Sequence, residues 1–346
     1  MTSNISISVI NAHAEGEVGN VVVGGVPSPP GDTLWQKMEW LESNQSLRNL
    51  LLNEPRGGVF NHFNLLVPPI DERAAYGFLT MEPEHTPPMS GSNSMCVATV
   101  LLDTGRIEMV EPVTEFYLEA AAGLVHVQAN CKDGKATSVR ITNVPSFVHR
   151  LDAPLEVAGL GTLTVDIAFG GDSFVLVPAR DLGFSIVPDE ARELTEIGAR
   201  ITRAANEQIG FQHPMNDWSI ISFCQFTLPT AVEDRVVAGK STVVIDPGKL
   251  DRSPTGTGCS ARMATMVARG QLALGDAYIG HSIINSRFDC RVEKLTDLKG
   301  TPAIIPSLQG RAWICGKTEI LRDPNDPWQQ GYRLSDTWPK MPDGTI

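Results

Sequence analysis

Positive charge is in short supply: 28 Lys and Arg stand against 40 Asp and Glu, a net charge of −12. A surface of that sign repels nucleic acid and anionic membranes, which are held through basic patches, so neither is expected as a partner. Long apolar runs are missing as well. None approaches the roughly 18 residues of a membrane span, although 42% of the chain is hydrophobic, the share of an ordinary soluble globular protein. The opening MTSNISISVINAHAEGEVGN has no basic stretch followed by an apolar core, so no secretory signal is expected. Paired cysteines are also lacking. Cys96, Cys131, Cys224, Cys259, Cys290 and Cys315 stand apart with no CxxC among them, which reads as reduced thiols in a cytoplasmic protein. No Cys/His cluster has ligand spacing, and no metal is expected. Low-complexity tracts and long linkers are absent, so any domain boundary falls in a short connection.

What the chain does have is punctuation. Its 31 Gly and 24 Pro break the sequence into short apolar runs, the look of a strand-rich α/β or α+β protein. A length of 346 residues suggests two domains. Ile5–Ile10 alternates as a strand, with 20–25 as its partner. Asp32 is a candidate cap for a helix from Thr33, with Leu34, Met38 and Leu41 on one face. Strands are expected over 122–128 and 137–144, joined through Lys132-Asp133-Gly134. Two more, 162–169 and 173–177, flank Gly170-Gly171, and 238–246 is another. The clearest helix is 189–210, with Leu194, Ile197, Ile201 and Ala204 at helical spacing. After Ala312–Ile314, a final strand, the segment 315–346 reads as a surface tail.

Two segments resemble each other, one in each half. Pro88-Met89-Ser90-Gly91-Ser92-Asn93-Ser94 leads into an apolar helix over 95–103 closed by Gly105. Pro254-Thr255-Gly256-Thr257-Gly258 leads into a second over 259–268 closed by Gly270. A helix N-terminus offers unpaired N–H groups and partial positive charge, so it holds anions. Each turn puts one hydroxyl, Ser90 or Thr255, before a Gly whose backbone a ligand can approach closely. Both hydroxyls are also ordinary helix caps, and that alternative stays open here. The glycines fit neither a Walker pattern nor G-x-G-x-x-G.

The block Asp251-Arg252-Ser253-Pro254-Thr255-Gly256-Thr257-Gly258-Cys259-Ser260-Ala261-Arg262-Met263-Ala264 resembles the signature of the proline racemase superfamily, which includes proline racemases, 4-hydroxyproline epimerases and trans-3-hydroxy-L-proline dehydratases. His13 to Glu17, Glu54-Pro55-Arg56-Gly57, Met81 to Gly91, Phe169-Gly170-Gly171, Ser282-Ile283-Ile284 with Phe288, Ala312-Trp313-Ile314 and Asp323-Pro324 with Asp326-Pro327 follow the same family's patterns. The resemblance implies an α/β (α+β) fold of the diaminopimelate-epimerase type: two pseudo-symmetric domains, each a curled sheet around a central helix. The expected halves are 1–125, completed by 315–346, and 126–314, with the active site in the cleft between them. It further implies catalytic positions at Ser90 and Thr255, and substrate carboxylate and ring nitrogen held by Gly91, Ser92, Asp251, Gly256 and Thr257. No cofactor is implied, and a monomer or homodimer is expected.

The departures carry the functional reading. Racemases and epimerases of the family use two cysteines on opposite faces of Cα, one to take the proton and one to supply it. Here Ser90 and Thr255 stand at both positions. A hydroxyl holds its proton several pK units more tightly than a thiol, at about 1.4 kcal/mol per unit, so two-thiol exchange is not expected. Cys259 lies one helical turn past the catalytic position and reads as core. Ser92 stands where many members have His, and His85 is a candidate surrogate base or else a loop His satisfied by backbone. His13 and Glu17 read as orienting groups, and Met89, Met95, Met263 and Met266 as packing. The resemblance therefore points to a hydro-lyase that dehydrates trans-3-hydroxy-L-proline without a cofactor. Ser90 would stand as proton acceptor, and Thr255 would aid the departing hydroxyl. The alternative is a catalytically silent or differently tasked member that binds an imino acid or related anion.

Overall fold

The computed structural model describes residues 5–339. They divide into two compact units. One runs to Ile141 and resumes at Arg311; the other is Thr142–Gly310. The sequence places these changes after 125 and 314.

In the first unit a sheet runs in the order Ala312–Arg322, Ile5–Ala14, Asn20–Gly24, Phe63–Val67, Ala74–Met81, Val113–Ala120, Gly123–Lys132. Successive pairings are antiparallel, antiparallel, parallel, antiparallel, parallel and antiparallel. The second unit begins with the same six: Ser146–Val157, Gly161–Phe169, Ser173–Pro178, Phe223–Thr227, Val236–Ile245, Ala277–His281, Arg287–Leu298. Thr301–Gly310 then pairs with Arg287–Leu298 and also with Ser146–Val157, which closes the ring. The internal duplication that two short helix starts suggested is thus a property of the whole topology, with the first unit's opening strand supplied from the chain's end.

Among the described residues five α-helices complete the units: α1 (Leu34–Ser43), α2 (Ser46–Leu52), α3 (Gly91–Asp103), α4 (Ala191–Gln208) and α5 (Gly256–Ala268). In α3 every residue from Gly91 to Leu102 is buried, and in α5 every one from Gly256 to Met266. A helix apolar on all sides must be enclosed, and each sheet curls around its own. Met89, Met95, Met263 and Met266 are buried packing. Around α5 the core is Ala168, Phe174, Leu176, Phe223, Val243, Ile245 and Ala261. Both central helices end alike. Gly105 and Gly270 take φ +69°, and the next residue's N–H returns to the carbonyl five back, Arg106 to Leu101 and Gln271 to Met266. Only glycine adopts this left-handed stop without steric cost.

Several local expectations shift. The cap of α1 is Thr33, whose hydroxyl accepts from Gln36 N–H, rather than Asp32. The helix expected over 189–210 is a short 3₁₀ turn, Pro188–Glu190, and then α4. Its buried stripe is Leu194, Gly198, Ile201, Thr202 and Ala205. It is centred on Gly198 because a Cβ there would lie 2.4 Å from Val244 Cγ2, so the sheet touches the helix backbone itself. The segment expected as a tail after 314 continues as strand to Arg322, because it pairs along the whole of Ile5–Ala14; residues 340–346 lie outside the described residues. No helix among the described residues is long and apolar enough to cross a membrane.

Candidate functional site

Both central helices start earlier than their apolar runs, at the glycines themselves. The first intrahelical bonds are Ser94 N–H to Ser90 O and Cys259 N–H to Thr255 O. The N–H groups of Gly91, Ser92 and Asn93, and of Gly256, Thr257 and Gly258, therefore have no partner inside their helices. These are the donors that can take a carboxylate.

Neither hydroxyl is spent on capping: no side-chain cap bond is made by Ser90 or by Thr255. Ser90 is half-buried, and its Oγ accepts from Asn93 Nδ2 at 2.9 Å. Thr255 is buried and has φ +60°, ψ 101°, an outlier for a β-branched residue. Three bonds tie it down. Its Oγ1 donates to Asp251 Oδ2 at 2.7 Å, its N–H donates to Ser253 Oγ at 3.1 Å, and Ser253 N–H donates to Asp251 Oδ1 at 2.8 Å. Strain of this kind, over-determined by neighbours, collects at sites where geometry matters.

Polar contacts tie down the chain that leads into or packs on each helix start. In the first unit, Arg48 donates to the carbonyls of Glu82 and Pro83, and Glu42 accepts from both N–H and hydroxyl of Thr86. In the second, Asn143 Nδ2 donates to Gly170 O and Ser260 Oγ, at 2.7 and 2.9 Å. Gly170 lies so close to α5 that a Cβ would fall 2.0 Å from Thr257 O. The Phe169-Gly170-Gly171 motif is thereby explained by contact with the helix start.

Other motif residues have structural work. His13 stacks on Trp313 at 5.1 Å between ring centres. Arg56 pairs with Asp326 at 2.8 Å, which joins two motifs distant in sequence. Glu17 lies 3.6 Å from His62, which lies 3.6 Å from Glu82; all three are buried. His85 adjoins this group, its Nδ1 4.0 Å from Glu82. The side chain that reaches Ser90 is Asn93, not His85. Cys259 is fully buried, donates to Pro254 O, and points at Gly280, where a Cβ would meet its sulfur at 2.5 Å. Among the described residues no His/Cys/Asp/Glu group could hold a metal ion.

Sequence pattern alone does not mark Asn93, Asn64 or Ser253 as site residues. Asn64 had a signal, a lone amide inside the strand Phe63–Val67, where a buried polar group needs a partner.

The profile of one protein family, Proline racemase, matches residues 9–333. A hydroxyproline epimerase from Agrobacterium vitis, solved with bound trans-4-hydroxy-L-proline, is 40% identical over 96% of both chains, with a TM-score of 0.92. A probable proline racemase from Agrobacterium radiobacter, solved with bound carbonate, is 38% identical over 96% of this chain and 98% of its own, TM-score 0.91. A predicted epimerase from Pseudomonas aeruginosa shares the fold at 14% identity over 92% of this chain and 100% of its own, TM-score 0.55.

Proposed function

The chain belongs to the proline racemase family, and on that footing we propose that it acts on a hydroxylated cyclic imino acid, removing water from trans-3-hydroxy-L-proline. One observation carries this reading: hydroxyls, Ser90 and Thr255, stand at both helix starts where two-base exchange would use thiols. The sulfur nearest in sequence to Thr255, Cys259, is turned into the core. Two-base exchange asks each side chain both to take and to return a proton near neutral pH, which a hydroxyl at about 1.4 kcal/mol per pK unit does poorly. Dehydration asks less. The Cα–H bond breaks, its electron pair becomes the Cα=C3 bond, and the C3–O bond breaks to release water. The enamine then tautomerises to a pyrroline carboxylate. Helix-start N–H groups take the carboxylate, with Gly91, Ser92, Gly256 and Thr257 the positions that offer them, and Asp251 accepts from the ring nitrogen.

The 40% identical relative named hydroxyproline epimerase favours a second reading, inversion at Cα of 4-hydroxyproline. Incubation of a panel of proline derivatives in D2O separates the two. Imine absorbance from trans-3-hydroxy-L-proline alone supports the dehydratase. Cα deuterium exchange with appearance of the 4-hydroxyproline epimer supports the second reading. Binding without either product leaves a silent family member.

A further inference from the structure

A buried line of side chains ends on Ser90, and its direction can be settled. Thr80 Oγ1 donates to Asn64 Oδ1 at 3.0 Å, Asn64 Nδ2 to Asn93 Oδ1 at 2.7 Å, and Asn93 Nδ2 to Ser90 Oγ at 2.9 Å. Amide oxygen and nitrogen are alike in outline, so such a line could run either way unless something anchors it. Asn20 is the anchor. Its main-chain carbonyl can only accept, and it lies 3.3 Å from the same Asn64 Nδ2. Turning the Asn64 amide over would set oxygen against that carbonyl. Asn64 therefore offers N–H to Asn93, Asn93 answers with its oxygen, and the Asn93 N–H is left for Ser90. Asn64 and Asn93 are 0% and 1% exposed, so no water replaces a bond broken by reversal.

We infer that Asn93, held in place by Asn64, is a positioning residue that makes Ser90 a proton donor. The amide N–H fills one lone pair of the hydroxyl oxygen, so the Ser90 O–H points away from Asn93. It also stabilises negative charge on that oxygen, in the same sense as the helix N-terminus. Thr255 is wired the opposite way, its proton already committed to Asp251. In turnover this role rests on the dehydration proposed above, and it reverses the part that the family resemblance gave Ser90. The Cα proton leaves to a base that returns it to solvent, the Cα–H electrons form the Cα=C3 bond, and the oxygen leaving C3 takes the Ser90 proton and departs as water. The Ser90 alkoxide, held by Asn93, is reprotonated from solvent.

The wiring can be read without any substrate. Ser90→Cys puts a titratable group at the end of the line, and iodoacetamide alkylation of the introduced thiol across pH, followed by peptide mass spectrometry, gives its pKa. Asn93→Leu and Asn64→Leu, each in the Ser90→Cys background, should raise that pKa by about one unit, a tenfold loss of thiolate below the midpoint. Asn64 does not touch residue 90, so a mere packing role would leave the thiol unmoved. Thermal unfolding checks that each variant folds, and Asn93→Ala, which only removes atoms, replaces a variant that does not. An unshifted pKa in folded Asn93 and Asn64 variants overturns the inference. A shifted pKa in a protein that turns over no imino acid upholds the wiring and sinks the dehydratase reading instead. Where wild type is active, Asn93→Leu should lower kcat at least tenfold while KM and affinity for pyrrole-2-carboxylate stay within about twofold.

Discussion

Thr255 gives its hydroxyl proton to Asp251 over 2.7 Å while its own backbone stands at φ +60°. The bond and the strain belong together: Asp251, through Thr255 and Ser253, holds a turn that a β-branched residue does not adopt unaided. Thr255→Val keeps the shape and removes the donor beside a buried carboxylate. It should destabilise the protein by about 1–3 kcal/mol in urea unfolding. Asp251→Ala should weaken pyrrole-2-carboxylate, which is planar at Cα like the deprotonated substrate, by a similar amount in calorimetry. Unchanged affinity would remove Asp251 from the proposed site.

Gly170 admits no side chain. A Cβ there meets Thr257 O at 2.0 Å and Ala261 N at 2.6 Å, both backbone of α5. Gly170→Ala must push the helix start aside, costing about 1–3 kcal/mol as overpacking does, and ligand affinity should fall with it. A variant with wild-type stability and binding would mean that α5 is free to move.

The cysteines differ sharply in access. Five are buried and Cys315 is exposed, and burial pushes the Cys96 and Cys224 thiols up. In the native protein iodoacetamide should label Cys315 alone, and all six after unfolding. Native labelling of Cys259 would reopen its assignment to the core.

The His213 ring meets Phe147 and Phe169 edge-on, and its Nδ1 accepts from Met215 N–H. Burial lowers its pKa below the ordinary 6.5, so the unfolded chain binds the proton first. The stability this neutral imidazole confers is complete above pH 6.5 and is lost as pH falls through the depressed folded value. His213→Gln should flatten the dependence of unfolding free energy on pH between about 7 and 5. An equally steep curve in the variant would place that dependence elsewhere.

Restoring thiols tests the chemistry of the two helix starts directly. Wild type should not interconvert L- and D-proline. Ser90→Cys combined with Thr255→Cys should show slow Cα deuterium exchange, since a thiol titrates near 8.5 and a helix N-terminus lowers it further. Fast proline racemisation by the unmodified protein would contradict the reading of both hydroxyls.

Sequence alone determined what depends on a few neighbouring residues. The closing glycines of α3 and α5, the hydroxyls before their first turns, the Gly170-Gly171 turn and the family motifs were legible because caps, tight turns and signature blocks act over a handful of positions. Tertiary structure decided the rest. Which stripe of α4 is buried depends on where Val244 meets Gly198, and how far the last strand runs depends on Ile5–Ala14 at the other end of the chain. The direction in which Ser90 is wired depends on a carbonyl at Asn20 and an amide at Asn64, on strands far from it in sequence. Local propensity is blind to such partners, because a hydrogen bond is directional and its sense is fixed only when burial has brought both ends together.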